Sequence, residues 1–97
     1  MKLSENSIRL IASYFKTKPV LKAYLFGSYA RQQADSESDI DILVSLDYSK
    51  KIGFQFAQMQ LDIQNLLGKK IDLVSENGLS PHIEPYINAE KQLIYER

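Results

Sequence analysis

Gly27, Ser28, Asp39 and Asp41 are the residues of this sequence whose types and spacing point to chemistry. Gly27-Ser28 closes the apolar run ending at Leu25-Phe26 and precedes Tyr29-Ala30-Arg31, residues able to start a helix. A turn of that kind presents backbone N–H groups to a phosphate. Downstream, Asp39 and Asp41 stand two apart in Ser38-Asp39-Ile40-Asp41-Ile42-Leu43-Val44. The strand period of two puts both carboxylates on one face and Ile40, Ile42 and Val44 on the other. Like charges side by side on a strand repel, and packing alone gives no reason for them. A divalent cation removes the objection. A phosphate loop and a metal site are therefore expected on adjacent elements.

The elements that must hold these groups can be read in order. Ser4 precedes Ile8, Ile11, Ala12 and Phe15, an amphipathic spacing that predicts a helix ending before Pro19. Val20 to Phe26 alternates as a strand that Gly27 stops. Ser28 to Gln33 is expected as a short helix, 34–38 as a polar connection and Asp39 to Leu46 as the second strand. Ile52 to Leu67 is the longest helical candidate, with Gly68 as its C-terminal stop. Lys69 to Ser75 reads as a third strand with Asp72 between Ile71 and Leu73, broken by Glu76-Asn77-Gly78. A last short helix follows Ser80-Pro81, its start made irregular by Pro85. Gln92 to Tyr95 is a strand or an ordered tail. The order predicts an α/β fold, one domain over 1–97 with a small mixed β-sheet.

Composition narrows the function classes. Twelve basic residues balance twelve acidic ones, whereas a protein that tracks nucleic acid normally shows a basic excess, so direct nucleic-acid binding is not expected. There is no cysteine and one histidine, His82, which excludes thiolate and multi-histidine metal sites. No apolar run approaches membrane-spanning length and no signal-peptide pattern opens the chain, so a cytoplasmic protein without membrane contact is expected. Asp47 and Glu37 read as surface charges, and Tyr14, Tyr24 and Tyr86 as core or partner-facing residues.

Gly27-Ser28, ten intervening residues and Asp39-Ile40-Asp41 resemble the signature of the DNA polymerase beta-like nucleotidyltransferase superfamily. The short length and the Gly-Ser-Tyr-Ala-Arg form are similar to its smallest members, the minimal nucleotidyltransferase (MNT) domains, which are commonly paired with HEPN-domain toxins. Many relatives carry Gly directly after the Arg, where this chain has Gln32. The resemblance implies a polymerase beta-like palm, with helices on one face of the sheet and carboxylates on the other. It supplies the third carboxylate, Asp72. It further implies that Asp39, Asp41 and Asp72 are catalytic and bind metal, most simply two Mg²⁺ ions about 3.5–4 Å apart. Gly27, Ser28 and Arg31 would bind the nucleotide, and ATP would be the AMP donor. Tyr29 is equally suited to packing or to approaching the bound nucleotide.

At 97 residues the chain is expected to lack an acceptor domain, and part of the substrate site is expected to come from another protein. The resemblance implies Mg-dependent transfer of AMP to a hydroxyl, a tyrosine of a HEPN ribonuclease toxin, with this chain acting as antitoxin. Two alternatives stand beside it: a silent binding module that neutralises the toxin sterically, and an adenylyltransferase acting on a small molecule. The clustered acid counts against the first, and the missing acceptor domain against the second. A homo-oligomer is compatible with either.

Overall fold

A computed structural model describes residues 2–97. Its sheet has four strands in the order β3-β2-β1-β4. β1 (Val20–Phe26) runs antiparallel to both β2 (Ile40–Leu46) and β4 (Gln92–Glu96), and β2 is parallel to β3 (Ile71–Ser75). The sheet is mixed, as expected, and the C-terminal segment is a strand rather than a tail.

Helix α1 (Glu5–Phe15) starts where Ser4 accepts a hydrogen bond from the Ser7 N–H at 3.1 Å and buries Ile11 and Phe15. Helix α3 (Gln55–Leu67) connects the parallel pair β2 and β3 and buries Met59 and Ile63. Its N-terminus lies three residues beyond the expected Ile52, because Gly53 turns the chain at φ 49°. Gly68, at φ 65°, ends it in the left-handed conformation, its N–H donating to the Gln64 carbonyl.

These two helices cover one face of the sheet. Ile11, Phe15, Met59 and Ile63 pack in one cluster with Ala23, Leu25, Ile40, Ile42, Val44, Ile71 and Leu73. Each of these side chains other than Ala23 contributes about 1.5–3 kcal/mol by leaving water. The alternation places Asp41 and Asp72 on the opposite face. That face is not uniformly open, since Leu43 is fully buried there, outside the main cluster. In β1, Val20 and Ala23 are both fully buried although three apart, and Leu21 is exposed. The register shifts between Val20 and Lys22, and this irregularity changes the facing parity.

Two short helices lie near the end of β1. Helix α2 (Gly27–Ala30) is shorter than the expected 28–33 and contacts α4 (Glu84–Glu90). A 3-10 turn at Glu76–Gly78 follows β3, and α4 carries Pro85 in its first turn, where no intrahelical donor is needed. Gln32 ends the α2 turn at φ 59°, the one non-glycine residue with positive φ among those described. A left-handed residue with a Cβ is strained by about 1–2 kcal/mol, part of which glycine recovers before its unfolded-state entropy is counted. Gln32→Gly is therefore expected to raise stability by about 0.5–1 kcal/mol in urea denaturation.

Candidate functional site

Asp41 is the second residue of β2, and its register partners are Phe26 on β1 and Asp72 on β3. The antiparallel pairing on one side brings the end of β1, and hence Gly27, against Asp41. The parallel pairing on the other brings the two aspartates side by side. Asp72 is held in register from behind. The N–H groups of its neighbours Ile71 and Leu73 donate to the side-chain oxygens of Gln64 (3.2 Å) and Gln60 (3.1 Å) on α3. Those glutamines satisfy outward donors of an edge strand while the Asp72 carboxylate stays exposed on the other face.

Asp39 lies one residue before β2 rather than inside it. Its carboxylate is half-buried and faces Lys70, whose Nζ is 3.8 Å away. Among the described residues, no three His, Cys, Asp or Glu side chains are grouped closely enough to hold an ion as they stand. The donor set nevertheless suits Mg²⁺, which favours carboxylate oxygens. Its crowding is visible at Asp41, whose carboxyl is pushed up to about 6 by burial first, then by the charges of Asp72 and Asp39. Arg31 opposes that shift and Glu90 adds to it.

Gly27 is required twice over. Its φ is 72°, and a Cβ built there would overlap a carboxylate oxygen of Asp41 and stand 3.0 Å from Asp41 Cγ. Gly27→Ala is expected to cost about 2–4 kcal/mol, combining left-handed strain with overpacking. Gly53→Ala is the control. With φ 49° and no atom within 4 Å of its Cβ position, it should show the strain alone in the same urea titration.

Ser28 is half-buried at the start of α2, and its carbonyl accepts from the Gln33 N–H at 2.8 Å. Arg31 projects from the end of the same turn, but in this structure its guanidinium is occupied by Glu90. Arg31 Nη1 lies 3.2 and 3.0 Å from the two Glu90 oxygens. The Gly27 N–H donates to the same carboxylate at 3.0 Å. Glu90 was not among the residues singled out from sequence. One signal points to it: an acid at the last position of a helix meets the negative end of the helix dipole and calls for a compensating partner.

Tyr29, inside the glycine–serine segment, is buried in the core, which favours its packing role. Asp47 lies at the far end of the sheet, paired with Arg97 at 2.7 Å. His82 sits exposed in the turn after Ser80. Among the described residues no helix is long and apolar enough to cross a membrane.

Residues 9–97 match the family model described as polymerase beta, nucleotidyltransferase. A Methanocaldococcus jannaschii protein provisionally named a protein adenylyltransferase is 31% identical, over 90% of this chain and 91% of its own. A solved structure provisionally identified as a minimal nucleotidyltransferase superposes with a TM-score of 0.78 at 29% identity, over 90% of this chain and 88% of that one. A chain from a solved complex of tri-AMPylated Shewanella oneidensis HEPN toxin with MNT antitoxin shares the fold. Its TM-score is 0.65 at 20% identity, over 96% of this chain and 70% of that one.

Proposed function

From the premise that this chain belongs to the polymerase beta nucleotidyltransferase family, we propose that it transfers AMP from ATP to a hydroxyl of a partner protein. The partner would be a HEPN ribonuclease toxin, and a tyrosine its natural acceptor. The observation that carries the reading is the juxtaposition of Asp41 with Asp72 across β2 and β3, with Gly27 seated against Asp41. Packing does not demand two adjacent carboxylates, whereas phosphoryl chemistry does.

Each group then has a task. The Gly27-Ser28 backbone and Arg31 would bind the terminal phosphates of ATP, and Asp39 and Asp41 would act on the triphosphate through the metal they hold rather than directly. The Asp72 carboxylate, exposed on the edge strand, would take the proton of the attacking hydroxyl. Asp39, Asp41 and Asp72 would hold Mg²⁺, which supplies charge neutralisation for the triphosphate. The hydroxyl oxygen forms the new bond to the α-phosphorus, and the bond from that phosphorus to pyrophosphate breaks. The partner orients the hydroxyl, a large share of the rate advantage, so transfer to water or free alcohols should be slow. AMP added to the toxin would place an anion where RNA phosphate must bind, excluding the substrate by bulk and like charge.

Support for this reading comes from the protein adenylyltransferase relative and from the AMPylated toxin in the similar complex. Co-expression with the partner tests it. The toxin should gain AMP in intact-mass spectra and cells should survive. Survival undiminished with Asp41→Asn, without any mass shift, would establish steric neutralisation instead.

A further inference from the structure

The donors assigned above to the phosphates of ATP already hold an anion in this structure, and the inference that follows rests on that assignment. The Glu90 carboxylate receives the Gly27 N–H on one oxygen, at 3.0 Å, and the Arg31 guanidinium on both, at 3.2 and 3.0 Å. Its side chain is only 23% exposed, against 47% for Arg31. Charge-assisted bonds of this kind are among the stronger polar contacts a protein makes. Nothing local favours an acid at this position. Glu90 ends α4, where the helix dipole prefers a cation, and it brings a further negative charge toward Asp41. The stabilising partners it has are the two groups a phosphate would need. Its reach is secured by the next strand, since the Gln92 side chain donates to the Ala30 carbonyl at 3.0 Å and ties the α4–β4 junction to α2.

We infer that Glu90 is an internal competitor for the triphosphate subsite, so that nucleotide binding is an exchange of a carboxylate for phosphate oxygens. The exchange requires Glu90 to leave Gly27 and Arg31, and the partly exposed side chain has solvent to move into. Apparent affinity is then the intrinsic affinity scaled by the fraction of molecules with Glu90 displaced. The reach of the ligand matters as well. A triphosphate must enter this subsite and displace Glu90 from Gly27 and Arg31, whereas AMP, with only the phosphate nearest the ribose, need not. Glu90 therefore weakens ATP more than AMP and keeps the donors neutralised when the subsite is empty.

Glu90→Gln is the direct test, because the amide oxygen can still accept from Gly27 while the competing charge is gone. By calorimetry with magnesium in excess, ATP should bind about tenfold more tightly, as expected if about one molecule in ten is open in the original chain. Inorganic tripolyphosphate should gain similarly, and AMP less. The gain should shrink when Arg31→Gln is added to both backgrounds. In amide NMR spectra of the original chain, tripolyphosphate should move the Gly27 resonance as its carboxylate partner is replaced. Glu90→Asp retains the charge but shortens the reach, and should also tighten binding should Glu90→Gln fold poorly. If the original chain binds ATP and both variants bind it equally or more weakly, Glu90 positions the loop and the competitor reading is wrong. If no form binds ATP or tripolyphosphate, the nucleotide subsite itself falls and the competitor with it.

Discussion

Asp41→Asn is expected to abolish AMP transfer, by about 10²–10⁴-fold, while leaving the ligand-free chain as stable as before or more so. The two effects have one cause. In the ligand-free chain Asp41 is partly buried beside Asp72 and near Asp39, and its carboxyl is raised from 3.8 to about 6. A carboxyl whose folded pKa is raised binds its proton more tightly in the folded state. Its contribution to stability is thus complete below about pH 3.8 and is lost as pH rises through about 6. Near neutrality the ionised Asp41 opposes folding. Full conversion of the shift at about 1.4 kcal/mol per unit would overstate this, because solvent reaches the group; about 1 kcal/mol is a reasonable expectation. The melting temperatures of Asp41→Asn and the original should coincide near pH 4 and diverge above pH 6, the variant being higher. A variant that melts well below the original at every pH would make Asp41 a structural residue.

Asp72→Asn should separate binding from chemistry. Asp72 is the exposed member of the pair, and the proposal gives it the proton of the acceptor rather than a grip on the triphosphate. Affinity for ATP with magnesium should stay within about tenfold, or about 1.4 kcal/mol, of the original. Transfer to the partner should nevertheless fall by about 10²–10⁴-fold. Single-turnover measurements distinguish the steps, since they report chemistry without product release. Parallel losses in affinity and rate would move Asp72 to the nucleotide-holding role.

Much of this site could be read directly from residue order. The positions of Asp41 and Gly27 were legible because strand alternation and a glycine at a strand end are local properties, carried by a few neighbouring residues, whereas Asp72 was singled out only through the family resemblance. The buried row Ile40, Ile42 and Val44 followed from the same period. Asp39 was placed inside the strand, but pairing begins at Ile40, and where a strand starts depends on its partners rather than on its own residues. The buried Val20–Ala23 pair depends on a register shift that no residue pattern announces. Glu90 was out of reach for a different reason. It is 63 residues from Gly27, and the two meet only because β4 returns antiparallel beside β1 and carries the end of α4 with it. Gln32 is an intermediate case: its departure from the glycine seen in relatives was visible, while the φ of 59° that glycine would suit was not.

Nucleotidyl transfer is defined by which part of ATP reaches the partner. Two parallel incubations of this chain with the proposed HEPN partner and magnesium decide it, one with ATP labelled at the α-phosphate and one at the γ-phosphate. The α-label should become covalently attached to the partner, and the γ-label should appear only in released pyrophosphate. Asp41→Asn should leave the partner unlabelled in both. Label from the γ-phosphate on the partner, or no α-label despite demonstrated ATP binding, would contradict nucleotidyl transfer as the function of this site.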